Sequence, residues 1–215
     1  MQSLAKTLVR LITGGKHISS EVIQGFRQLT VMVEGSENGT YTAVQIERFG
    51  EELFLRIEAS LRQYQDEVEQ SVQMVDTQLI TGNQFSNNVA GAKGETQRRQ
   101  DDFRDSQGVI EWYWSGATAR MDRKFEDDLK LLRNAGQFLE RLRRDITSLS
   151  IWLESFLESV SRRRYKHGQQ KYSNLSTQEL VNTLGGYVTL GSDEIEKWRV
   201  MEQGRLARTL QLGGL

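Results

Sequence analysis

A chain of 215 residues with 37% apolar and 27% charged side chains, a net charge of −1, no cysteine and no proline excludes several classes at once. The near-neutral balance supplies no global field for nucleic acid or anionic lipid, and the missing thiol rules out disulfides, thiolate metal sites and cysteine nucleophiles. Ordinary usage would place roughly ten prolines in such a length, and proline costs about 3 kcal/mol inside a helix, so its absence predicts long uninterrupted helices with few loops.

The first predicted helix carries Leu4, Ala5, Leu8, Val9, Leu11 and Ile12, a wide apolar stripe that Gly14-Gly15 is expected to end. A second should start at Ser19 or Ser20, bury Val22, Ile23, Phe26, Leu29 and Val33, and stop at Gly35 in the polar stretch to Gly39. A third is predicted from about Thr40 to Thr81, with its stripe at Ile46, Leu53, Ile57, Leu61, Tyr64, Val68, Val72, Val75 and Leu79. Residues 82–94 hold three glycines, three asparagines and no acidic residue, and read as the clearest loop.

From Thr96 to Tyr165 the stripe continues through Phe103, Ile110, Trp114, Ala117, Met121, Phe125, Leu129, Leu132, Leu139, Leu142, Ile146, Leu149, Leu153, Phe156 and Val160. Gly108, Gly116 and Gly136 each weaken this helix by about 1 kcal/mol relative to alanine, so a break is expected near 106–108 or 115–118, with Gly108 the preferred place. Ser176 and Glu179 have the spacing of a capping box, with Leu175 and Leu180 as its hydrophobic staple. That short helix should close at Gly185-Gly186. A final one should begin near Ser192, carry Ile195, Trp198, Met201, Leu206 and Leu210, and end at Gly213-Gly214. The best strand candidate, Tyr187 to Leu190, is too short to stand alone. The reading is all-α: an elongated helical bundle or long helical hairpin with short N- and C-terminal helices. Its segments are amphipathic helices over 1–35, a hairpin over 40–165 with its loop at 82–94, and a helical segment over 174–215.

Catalytic raw material is scarce. His17 and His167 lie far apart beside polar or glycine-containing segments and read as solvated side chains, with no converging set for zinc or a nucleophile–base pair. Neither has a glutamate three residues before it, as a helical di-iron site requires. The pairs Glu51-Glu52, Asp101-Asp102 and Asp127-Asp128 point about 100° apart on a helix and read as solvated faces. No phosphate-binding loop motif occurs; Gly14-Gly15-Lys16 follows a helix. No cofactor, metal, small-molecule substrate or enzymatic activity is expected. No apolar run reaches the roughly 18 residues of a membrane span, and Lys6 and Arg10 interrupt the N-terminus, which does not read as a signal peptide.

Three features remain as sites. Arg162, Arg163, Arg164, Lys166 and Lys171 fall in a window without acidic residues, interleaved with Tyr165, His167 and Tyr172. The window reads as a grip for phosphates of nucleic acid or lipid headgroups, or as cations facing a helix terminus and acidic neighbours. Trp112 and Trp114 lie on different sides of one helix, so both cannot face one narrow core, and one of them is either exposed or buried by a partner, at a subunit interface in preference to a lipid surface. The stripe of Leu4, Leu8, Val9 and Ile12 suits either a protein interface or a membrane surface; Trp198 and Leu210 complete the interface candidates. The leading expectation is a structural protein that assembles with copies of itself. A membrane-active helical protein and a nucleoprotein or capsid-like subunit are the alternatives.

Overall fold

The computed structural model describes residues 2–106, 111–169, 175–200 and 204–212, and every regular element among them is helical. The order is α1 (Gln2–Glu37), α2 (Ala43–Ser106), α3 (Glu111–Gln169), α4 (Thr177–Trp198) and α5 (Gly204–Leu212). Two compact units divide them: Met1–Val72 with Arg144–Leu215, and Gln73–Arg143.

In the first unit α1, the N-terminal half of α2 and the C-terminal half of α3 pack around Leu8, Phe26, Ile57, Ile146 and Val160, all fully buried. Helix α4 lies against α1. The short α5 buries Leu206, and Thr209 donates a hydrogen bond to Asp145 at 2.5 Å.

Helix α1 does not end at Gly14-Gly15. A Cβ on Gly14 would meet the Tyr64 ring at 3.3 Å, and the buried Tyr64 hydroxyl donates to the Leu11 carbonyl at 2.7 Å. The glycine admits a neighbouring helix instead of stopping its own. The stop comes at Glu37, close to the expected place. Gly39 takes φ +69, Gly39 N–H donates to the Ser36 carbonyl and Thr40 N–H to the Gly35 carbonyl, a Schellman closure that satisfies the last carbonyls. Helix α2 then opens on a reciprocal cap between Thr42 and Gln45, whose backbone N–H groups each donate to the other's side chain.

Residues 82–94 are helix, not loop. Packing overrides their weak propensity, because less exposed positions recur along this stretch by four and three, at Val75, Leu79, Gly82, Ser86, Val89, Lys93, Thr96 and Gln100, with Asp76 and Gly94 beside them. Ion pairs join this half of α2 to α3 at Asp76–Arg143 and Lys93–Glu126. Helix α2 is described to Ser106 and α3 from Glu111; Gly108, the expected break, lies outside the described residues.

Helix α4 starts on the expected capping box: Ser176 is extended, its N–H donates to the Glu179 carboxylate at 2.9 Å, and its hydroxyl accepts from Glu179 N–H. It runs through Gly185-Gly186, where closure was expected, and takes in Ser192 and the strand candidate 187–190. A capped, amphipathic stretch continues wherever its face finds cover, and Ile195 and Trp198 find it in the core. Gly213-Gly214 lie outside the described residues.

Candidate functional site

The basic cluster lies on the last turns of α3, where carboxylates of other helices meet it. Arg163 is buried, and its guanidinium reaches Glu194 of α4 at 3.1 Å. Arg164 reaches Glu58 of α2 at 2.5 Å. Glu58 also accepts from Arg62 at 2.8 Å and from the Ser161 hydroxyl at 3.1 Å. Burial alone would raise the Glu58 carboxyl, but the bonds from Arg62 and Ser161 and the nearby guanidinium charges hold it below the ordinary carboxylate range. Arg162 pairs with Glu158 on the exposed face of its own helix. Lys166 and Tyr165 face solvent, and Lys171 lies outside the described residues. The charge of Arg163 and Arg164 is therefore matched inside the chain, where it joins α3 to α4 and α2.

His167 is not a solvated loop residue. It is 1% exposed, its ring meets Phe54 edge-on at 5.6 Å, and its Nε2 bonds the Glu47 carbonyl at 2.8 Å, which requires the proton on Nε2. A Cβ on Gly50 would fall 2.4 Å from the ring, so glycine makes the seat. Burial pushes the imidazole below its ordinary value of 6.5, against the opposing pull of Glu47 and Glu51. Because the folded value is depressed, the unfolded chain takes up the proton first as pH falls. Stability should be complete above about 6.5, decline below it, and level off beneath the folded value. Urea midpoints between pH 8 and pH 5 test this: the wild type should lose stability there, and His167→Gln should flatten the profile. Glu58 acts in a separate window, below the ordinary carboxylate range.

A second cluster is aromatic. Trp198 is 1% exposed, stacks on Trp152 at 4.9 Å and meets Tyr64 edge-on at 6.1 Å. Burial, helped by the charge of Glu67, raises the Tyr64 phenol. Next to Trp152, an open groove of about 350 Å³ is lined by Phe156, Ser159, Arg162, Glu158 and Glu194. Its one arginine faces two carboxylates, which does not suit an anion.

Leu4 and Leu8 of the N-terminal stripe are buried in the core, Ile12 is half-buried, and Val9 is exposed. The side chains of Trp112, Trp114 and Leu210 lie outside what the structure describes. Among the described residues there is no cluster of three or more metal-ligating side chains, and no helix is long and apolar enough to cross a membrane.

The Gln73–Arg143 unit presents a different surface. Between Val75 and Leu142 no described side chain is fully buried, and Ile80, Phe85, Met121 and Leu131 are each about half exposed or more. Residues 77–92 of α2 carry no charge at all. Depletion of charge marks the cores of interfaces more than solvated helices, so sequence inspection had this signal within reach. No protein-family model, curated protein or solved structure matches the chain.

Proposed function

We propose that the chain is a non-enzymatic structural protein that assembles with copies of itself through its long amphipathic helices. The observation that supports this reading is the Gln73–Arg143 unit. Its two helices present seam residues that two helices alone leave half-exposed, together with bare apolar side chains and an uncharged stretch. A third or fourth helix completes such a seam, and another copy supplies helices of matching length and pattern. The cations at 162–164, which the phosphate-binding alternative would use, face Glu158, Glu194 and Glu58. Leu4 and Leu8, which a membrane-bound N-terminus would use, lie in the core.

Sedimentation velocity or light scattering at micromolar concentration tests the reading. A dimer or larger species is expected; a clean monomer of 24.7 kDa would sink it.

A further inference from the structure

Where on the chain two copies meet is carried by the exposed side of α3 within the Gln73–Arg143 unit, and this inference rests on the self-assembly reading. Leu131, Ala135 and Phe138 follow one another by four and three, so they form a line along one side of the helix. That line is not the one facing α2, which runs through Phe125, Leu129, Leu132, Gly136 and Leu139. Leu131 is 69% exposed and Phe138 half-buried, so the second line is apolar and largely uncovered.

The two ion pairs between α2 and α3 set the antiparallel register. Asp76 and Lys93 are as far apart in α2 as Arg143 and Glu126 are in α3, so Phe85 stands level with Asn134. Counted from the seam, Phe85 sits on the flank of α2 that corresponds to the Leu131–Phe138 flank of α3. In an antiparallel pair, corresponding flanks lie on the same side. Phe85, 57% exposed, thus stands between Leu131 and Phe138 on one apolar surface.

Charge identifies the occupant. Asp127, Asn134 and Arg141 are spaced by seven, so they share one heptad position beside that apolar line, and all three are exposed. Asp127 and Arg141 enter no ion pair among the described residues, unlike their neighbours Glu126 and Arg143. An acid, an amide and a base at equal spacing are self-complementary when the segment meets its own copy antiparallel. A two-fold axis at Asn134 sets Asp127 against the partner's Arg141, Arg141 against the partner's Asp127, and Asn134 against the partner's Asn134. The same axis brings Leu131 next to the partner's Phe138. A closed two-fold contact needs this self-complementarity, and an unrelated partner would not.

We infer that α3 between Asp127 and Arg141 is an isologous, antiparallel docking surface for a second copy of this chain, with Phe85 of α2 closing its apolar side.

The test uses the full chain at micromolar concentration, with far-UV circular dichroism confirming that each variant keeps its helices. Asp127→Arg or Arg141→Asp alone should weaken association about tenfold or more, because each creates two like-charge contacts per dimer. The double variant Asp127→Arg/Arg141→Asp should recover it to within about threefold. Since the chain has no cysteine, Asn134→Cys supplies a unique thiol. It should give a disulfide-linked dimer under mild oxidation, and Glu140→Cys, on another side of α3, should not. A wild-type multimer indifferent to the charge reversals, with no cross-link at 134, overturns this surface while leaving self-assembly standing. A wild-type monomer overturns both, and gives the face to a partner of another kind.

Discussion

Replacing Trp198 with alanine is expected to lower the unfolding free energy by about 3–5 kcal/mol, the usual cost of truncating a buried tryptophan. The ring is 1% exposed, lies within 7° of parallel to Trp152, and meets Tyr64 on its edge. These contacts bring α4 to α3 and α2 at once, while Tyr64 in turn bonds α1 through Leu11. One opposing contribution pulls the figure toward its lower end: Trp198 Nε1 is buried with no hydrogen-bond partner among the described residues, and an unpaired buried donor costs about 1–3 kcal/mol. Urea unfolding followed by far-UV circular dichroism reads the change. Val200→Ala, two residues on at a site 61% exposed, is the control and should move the midpoint by less than about 0.5 kcal/mol. A Trp198→Ala loss below about 1 kcal/mol would mean that α4 is held elsewhere.

What the sequence made legible follows from what each residue needs to act. The missing prolines and the three-and-four spacing of apolar residues speak for a helix without reference to anything distant, and the all-α bundle is what they predicted. Ser176 with Glu179, and the polar stretch ending at Gly39, act within a few residues and were legible for the same reason. Glycine at 14–15, 82–94 and 185–186 misled because whether a helix runs through it depends on the packing of the whole helix: Gly14 sits against the ring of a distant residue, whereas Gly82, Gly185 and Gly186 have open space where a Cβ would stand. Gly14 is explained by Tyr64, and the helicity of 82–94 by the partner residues of α3. At 162–171 the two readings, a grip for phosphates and cations facing acidic neighbours, could not be separated from the sequence, since the carboxylates that meet Arg164 and Arg163 arrive from Glu58 and Glu194, on other helices. His167 was misread because its seat, Gly50, carries no side chain to announce it.

That contrast between glycines yields the second large effect, and its sign differs by position within one helix. At Gly50 a methyl group would stand 2.4 Å from His167 Cε1 and 2.7 Å from its Nε2. The ring cannot yield cheaply: it is buried, wedged against Phe54, and bonded to the Glu47 carbonyl. Overpacking of this kind costs about 1–3 kcal/mol, and displacing the ring removes a hydrogen bond worth about 1 kcal/mol more. Alanine returns about 1 kcal/mol of helix propensity, so Gly50→Ala should destabilise by about 1–3 kcal/mol. At Gly82, in the same helix, no atom lies within 4 Å of the added carbon, and only the propensity gain remains. Gly82→Ala should therefore stabilise by about 0.5–1 kcal/mol. The cause is isolated by a double-mutant cycle, because in a His167→Ala background the Gly50→Ala penalty should largely vanish, leaving a stabilising residue of propensity. Equal and stabilising effects of Gly50→Ala and Gly82→Ala in the wild-type background would show that the imidazole does not rest on α2. The junction that gathers Glu47, Gly50 and Phe54 around α3 would then have to be redrawn.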